Sequence, residues 1–361
     1  MNTIEKIQGR VLSLDFFRGL TMLLLIAETT GLYDAMGWVQ MHHHPWHGFR
    51  FWDLIQPFFM FIVGVAMPFS LARREAKSNG SYRKNWRHIL VRCLILLALG
   101  VGIQCAYSGR LVWELWNVLA QLSVTIFIAY AIIKLKVRWQ LLISLALLLA
   151  TDLLYRFFPV EGFNRPFVMN ENFGSWVDLL LMGKLNNGGG WVAISCIPTA
   201  AHTIWGVVAG RLLRSAAHSK RSKLKQMCLW GAALLVIGYG LDVSGISPII
   251  KRICTTSFIL VSGGWTILAL AFSYWLIDVK GKVKIVMPFA IVGMNSILIY
   301  MLTQTVGVQW FNGFVGIFAG GFAGLLGFSE HIQAASTALT ALGLEWWLCY
   351  YLYKKGIFLK I

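Results

Sequence analysis

Charge is scarce in this chain. Asp, Glu, Lys and Arg make up 13% of its 361 residues, against about 25% in soluble domains, which excludes an ordinary water-soluble globule. Acids are scarcest, with 15 Asp and Glu facing 32 Lys and Arg, for a net charge of +17. Cysteine is sparse and scattered: Cys93, Cys105, Cys196, Cys228, Cys254 and Cys349 lie mostly inside apolar runs, with no CxxC spacing. That argues against a disulfide framework or a zinc site and leaves the six as small buried hydrophobes. No motif recurs, so no internal repeat organises the chain.

What is abundant is apolar length. Runs such as "LTMLLLIAETTGLY", "ILVRCLILLALGVGIQCAY" and "LLISLALLLATDLLY" reach or approach the ~20 residues that span a bilayer. The fold class is therefore all-α, a polytopic transmembrane helical bundle. Hydropathy and length place about ten spans, near 14–33, 52–72, 88–107, 116–134, 139–156, 191–211, 226–243, 255–278, 285–306 and 331–353. The first run follows "MNTIEKIQGR" with no small-residue cleavage site after it, and is read as a permanent span rather than a signal peptide. The positive charge is grouped between spans, in "RREAKSNGSYRKNWRH", "RLLRSAAHSKRSKLK", "KLKVR", "KGKVK" and a terminal "KK". These blocks fall in every second connection. That is the pattern of an orientation signal rather than of nucleic-acid binding, and it puts both termini in the cytoplasm. The glycine-rich segment 313–330 is apolar but short, and is read as re-entrant or as half of a broken helix packed on protein. The whole chain, 1–361, is taken as one domain.

The opposite face carries the long connections, including "MHHHPWHGFRFWD", the 35-residue loop 156–190 after the fifth span, and "VSGISPIIKRICTT". Long loops on one face are where function sits. Four of the eight histidines lie in His42–His47. A neutral imidazole can take a proton near physiological pH. Pro45 interrupts any helix there, and the pattern is not the i, i+4 pair of a helical zinc site, so no metal is expected. The plainer alternative is an interfacial histidine cluster, with Trp46 and Trp52 as belt aromatics.

Ionisable groups inside spans are costly and usually face a polar cavity or one another. Asp15 and Arg18 stand one turn apart and could simply pair. The sequence offers Glu28 and Asp53 no obvious neighbour to pair with, and Gln56 with Pro57 would bend or open the second span just past Asp53. Asn295, Ser296, Tyr300, Thr303 and Gln304 recur at helical spacing in the ninth span, either as interhelical glue or as a cavity wall. The candidate cavity is thus lined by Asp15, Arg18, Glu28, Trp46, Gln56, Tyr300 and Gln304.

Four blocks together, "RVLSLDFFRGLTMLL", a His-x-x-Trp-x-Gly loop followed by "DLIQPFFMFIVG", "GMNSILIY" and "WWLCYYLYKKGIFLKI", resemble the heparan-α-glucosaminide N-acetyltransferase family and its bacterial membrane relatives linked to amino-sugar use. The resemblance implies transfer of an acetyl group from cytoplasmic acetyl-CoA, through a histidine near the outer face, to a glucosamine-type amine. It assigns the active histidine to His43, with Trp46 and Gly48 completing the motif, and matches Asp53 and Asn295 to the family's aspartate and asparagine. His43 would act as general base or as acetyl carrier, Asp53 would orient it, and Asn295 would donate to the thioester carbonyl.

The chain departs from the family pattern at Glu28 and Thr29, where asparagine is usual, and at Thr303, where a histidine can stand. An alternative reading follows: a transporter of amino sugars or cell-wall sugars, using the intramembrane acids as proton relays. The setting expected for either is a bacterial cytoplasmic membrane. The partners expected are the bilayer, an amino sugar or glycan, no nucleic acid, and a second copy in a homodimer.

Overall fold

A computed structural model describes residues 12–77 and 82–359. The N-terminal "MNTIEKIQGR", with the opening of the first family-like block, and part of the first basic block lie outside the described residues. Within them the protein is all-helical and contains no strand; one antiparallel bridge joins His47 to Ile250.

The helices run in the order α1 Leu12–Thr29, α2 Leu32–Met36, α3 Ile55–Lys77, α4 Tyr82–Ser108, α5 Val118–Ala131, α6 Val137–Phe157, α7 Phe173–Met182, α8 Cys196–Arg214, α9 Lys220–Val243, α10 Thr256–Tyr274, α11 Val283–Met294, α12 Ser296–Leu302, α13 Asn312–Leu325 and α14 Glu330–Lys355. Among the described residues, seven helical stretches are long and apolar enough to cross a membrane: Phe51–Ala76, Asn85–Ser108, Val137–Phe157, Ala193–Arg214, Lys220–Val243, Thr256–Val279 and Ser296–Leu325. The protein is therefore a multi-pass membrane protein. Helices α4, α6 and α9 leave Leu94, Leu142, Leu145, Leu149, Leu153, Val236 and Ile237 exposed, an apolar surface suited to lipid rather than water.

The chain forms two compact units: Met1–His42 with Ala269–Ile361, and His43–Leu268. In the second, α8 is the buried centre and packs on α3 through glycines. A Cβ on Gly206 would run into the Phe61 carbonyl oxygen and lie 3.0 Å from Gly64 Cα. Small residues allow this backbone-to-backbone approach, which carries helix association where lipid removes the hydrophobic drive. In the first unit α1 packs on α11, where Phe16 meets Phe289 edge-on at 5.2 Å over Ile277, Val286 and Ala290.

The structure departs from three sequence expectations. Gln56 and Pro57 do not open the second span. They occupy the first turn of α3, where proline lacks only a donor that has no helical partner anyway. The ninth span is divided at Asn295, whose backbone (φ −120°, ψ 33°) leaves the helix between α11 and α12. The segment 313–330, read as re-entrant or as half of a broken helix, is helical as far as Leu325, where α13 continues a helical run that starts at Ser296 and includes the π-helix Thr303–Phe311. The glycines there serve packing: a Cβ on Gly320 would lie 2.7 Å from Thr337 Oγ1 of α14.

Candidate functional site

The histidine-rich loop is pinned at both ends. Gly48 donates its N–H to Ile249 O (2.9 Å) beside the His47–Ile250 bridge. Gly48 has φ 137°, a conformation that side-chain-bearing residues rarely adopt, and a Cβ there would lie 2.6 Å from His44 Nε2. Downstream, Arg50 is extended, and its N–H donates to Asp53 Oδ2 at 2.9 Å, capping the 3-10 turn Phe51–Leu54 that leads into α3. The Arg50 guanidinium closes the loop by donating to His43 O at 3.2 Å.

These constraints set His43 beside Asp53. His43 Nδ1 lies 3.2 Å from Asp53 Oδ1. Asp53 is fully buried, while the His43 side chain is 38% exposed. The imidazole edges onto Trp191, with centroids 5.3 Å apart, and lies 6.3 Å from the Trp52 ring.

A third residue completes the cluster. Pairing of 47–48 with 249–250 carries the next residue, Lys251, to His43: its Nζ is 3.0 Å from His43 Nδ1 and 3.6 Å from Asp53 Oδ1. Lys251 is only 4% exposed. Its turn is tightly knotted. Cys254 takes φ 53°, its thiol donates to Lys251 O at 3.0 Å, and Thr255 Oγ1 donates to Pro248 O at 2.7 Å. Arg252 lies over the Trp191 ring at 5.2 Å and donates to Gly189 O at 2.6 Å. Beneath the turn, Ile250 and Ile253 pack with Tyr155, Phe173 and Val192.

The electrostatics follow from this placement. Burial, then the Lys251 charge, push His43 down to about 4 against the pull of Asp53, so the imidazole is neutral at physiological pH. Burial pushes the Lys251 ammonium down to about 8, with Asp53 opposing. The cluster thus holds a neutral imidazole between a buried carboxylate and a cation that can lose its proton within the ordinary pH range. Among the described residues, no group of three His, Cys, Asp or Glu side chains is arranged to hold a metal ion.

The remaining predicted residues divide between the units. Trp46 donates to Phe167 O at 2.8 Å. Gln56 donates to Gln121, which donates to Ser195 Oγ at 2.9 Å, a polar chain between α3, α5 and the head of α8. In the other unit Asp15 and Arg18 pair at 3.4 Å, as their spacing allows. There too Glu28 is exposed, Tyr300 is buried, and Gln304 lies half-buried in the π-helix. Asn295 does not present a free amide. Its Nδ2 donates to Ile357 O (3.0 Å) and its Oδ1 accepts from Leu359 N (2.9 Å), so it clamps the C-terminal segment. The other loop histidines scatter: His42 faces Asp34 at 3.7 Å, and His47 bonds Asp242 at 2.8 Å.

Sequence reasoning missed Lys251, Trp191 and Arg252. It also missed Glu345 of α14, which is 2% exposed with neither carboxylate oxygen hydrogen-bonded among the described residues. One signal for Lys251 was available. A Lys–Arg pair stands in a loop that the charge pattern assigns to the outer side, against the positive-inside trend.

A multi-pass helical membrane protein with a histidine–aspartate–lysine cluster at a loop is the class these observations define. Residues 10–241 match the family described as heparan-alpha-glucosaminide N-acetyltransferase, catalytic, and the chain belongs to that family. The mouse protein named heparan-alpha-glucosaminide N-acetyltransferase is 24% identical over 420 aligned residues, covering 98% of this chain and 61% of the mouse protein. The human protein of that name is 24% identical over 425, covering 99% and 61%. The chain thus spans less than two thirds of the length of these relatives.

Proposed function

We propose that this protein is a membrane-embedded acyltransferase, one acyltransferase-like domain over 1–361, that moves an acetyl group from cytoplasmic acetyl-CoA to the amine of an amino sugar or glycan at the outer face of a bacterial cytoplasmic membrane. About ten helices would cross the bilayer, with both termini inside, and two copies would associate as a homodimer. The observation that carries the reading is the partly exposed His43 held at Nδ1 against buried Asp53.

A neutral imidazole with one nitrogen anchored offers the other to substrate. In one route Nε2 attacks the thioester carbonyl, the C–S bond breaks, and the acetyl group passes from His43 to the amine. In the other, His43 removes the amine proton while the amine attacks the thioester directly. Asp53 holds the ring and offsets the charge it gains, as carboxylates do in triads.

The test is turnover of acetyl-CoA by the purified protein with glucosamine as acceptor. Saturable acetylation that His43→Ala lowers by about 100-fold or more is the expected result. Undiminished transfer in His43→Ala refutes the assignment, and a trapped acetyl group on the protein separates the two routes.

One observation favours a second reading, transport of amino sugars. Glu345 is buried, with no hydrogen-bond partner among the described residues, beside Gly307 of the π-helix, where an added Cβ would sit 3.3 Å from its Oε1. π-bulges and intramembrane acids both mark functional sites. Sugar uptake by vesicles that Glu345→Gln abolishes would support it; uptake indifferent to that change, or none, would not.

A further inference from the structure

Acetyl transfer to an ammonium releases two protons. One leaves with the coenzyme A sulfur as the thiol forms. The other needs a base, and His43, pushed to about 4, binds protons too weakly to keep it.

We propose that Lys251 is a positioning residue for this second proton, acting through His43: the imidazole takes the acceptor proton at Nε2 and releases its Nδ1 proton to the neutral Lys251 amine 3.0 Å away. The inference rests on the acetyltransferase reading of the site, in the route where the amine attacks the thioester directly. In this step the acceptor N–H bond breaks and Nε2–H forms; Nδ1–H breaks and Nζ–H forms. The acceptor nitrogen keeps the electron pair with which it attacks. His43 ends in its other tautomer, and Lys251 ends as an ammonium 3.6 Å from the Asp53 carboxylate. Loss of that proton to water and return of the Nδ1 tautomer reset the site.

The geometry sets the requirement. Asp53 Oδ1 and Lys251 Nζ both address Nδ1, at 3.2 and 3.0 Å, and Nδ1 carries either a hydrogen or a lone pair. A charged Lys251 donates to the lone pair, so the ring hydrogen sits on Nε2 and the substrate-facing nitrogen cannot accept. A neutral Lys251 leaves Nδ1–H to Asp53 and offers its own lone pair as the next acceptor. Lys251 is 4% exposed and His43 38%, so the imidazole is the solvent-facing member of the pair. The other groups facing Lys251 are Arg252 and the Cys254 thiol of its own turn and the Trp191 ring at 5.7 Å. Arg50 approaches from the head of α3 through its bond to His43 O. Burial, offset in part by Asp53, brings Lys251 to about 8, where a useful fraction is neutral.

The experiment is the pH–rate profile of kcat from pH 6 to 10 for the intact protein in lipid nanodiscs, with acetyl-CoA and glucosamine, for the wild type, Lys251→Arg, Lys251→Met and His43→Ala. The wild type should rise to a plateau with an apparent pKa near 8. Lys251→Arg keeps a cation beside Asp53 but cannot lose its proton, so kcat should fall about 100-fold and the limb near 8 should vanish; Lys251→Met should behave the same way. A structural role predicts the reverse, with Arg restoring wild-type rate and profile, and that result overturns the proposal. So does a wild-type profile flat between pH 7 and 9, which needs no variant to fold. Transfer lost in His43→Ala but intact in Lys251→Arg sinks this inference alone. Transfer absent from the wild type sinks the acetyltransferase reading beneath it.

Discussion

Replacing Asp53 with asparagine keeps the shape of the side chain and removes its charge, and the cost should depend on pH in a calculable way. Asp53 is fully buried, accepts from Arg50 N at 2.9 Å, and faces His43 and the 4%-exposed Lys251. The amide oxygen of asparagine can keep the Arg50 bond, so the part of the loss that does not vary with pH is about 1–2 kcal/mol. The rest comes from Lys251. An unpaired buried ammonium would cost about 3–5 kcal/mol, but the lysine can escape by losing its proton.

In the wild type Lys251 sits at about 8. Its folded-state value is depressed below the ordinary lysine range, so folding gains stability as pH rises through 8 toward 10.5. In Asp53→Asn the folded value drops further, and the penalty for neutralising the lysine, RT ln(1 + 10^(8−pH)), is about 1.4 kcal/mol at pH 7 and about 0.1 kcal/mol at pH 9. The destabilisation should therefore be larger at pH 7 than at pH 9 by about 1.3 kcal/mol, or roughly 2 °C in Tm for a chain of this length. Thermal unfolding in detergent, followed by tryptophan fluorescence at the two pH values, measures it. Asp53→Asn combined with Lys251→Met should lose the difference. A Tm deficit equal at both pH values would refute the coupling of Asp53 to a charged Lys251.

Three further outcomes are expected. Gly206→Ala should cost about 1–3 kcal/mol and lower Tm, because the new methyl meets the Phe61 backbone of α3 and cannot be relieved by a side-chain rotation; an unchanged Tm would show that α3 and α8 can part freely. Gly48→Ala should lower acetyl transfer more than stability. A side chain at φ 137° strains the loop and strikes the His44 ring, loosening the pairing that sets Lys251 beside His43, so a kcat within twofold of the wild type would contradict that role. Asn295→Ala should free the C-terminal segment by removing two hydrogen bonds at about 1 kcal/mol each, with faster amide exchange of Leu359 as the readout. Unaltered exchange would mean the segment is held elsewhere.

Residues close in sequence made much of the site legible. His43 and Asp53 are ten positions apart, and a proline, a positive-φ glycine and a capped 3-10 turn between them leave few ways to join the two. The long apolar runs likewise mark the helices α3, α4, α6, α8, α9 and α10, because lipid demands length and apolarity from each helix independently of its neighbours. What one helix owes another was not legible. The division at Asn295 depends on the C-terminal segment that bonds both ends of its amide. The unbroken α13 depends on α14, against which its glycines pack.

Lys251 was hidden for the same kind of reason: it reaches His43 across 208 residues by one backbone pairing that no local pattern announces. Its chemistry is equally non-local. An exposed lysine holds its proton through neutral pH, and only the burial of this turn over Tyr155 and Phe173 lets Lys251 shed it near pH 8. Motif spacing picks out His43; the lysine amine beside its Nδ1 is a contact that exists only after the chain has folded.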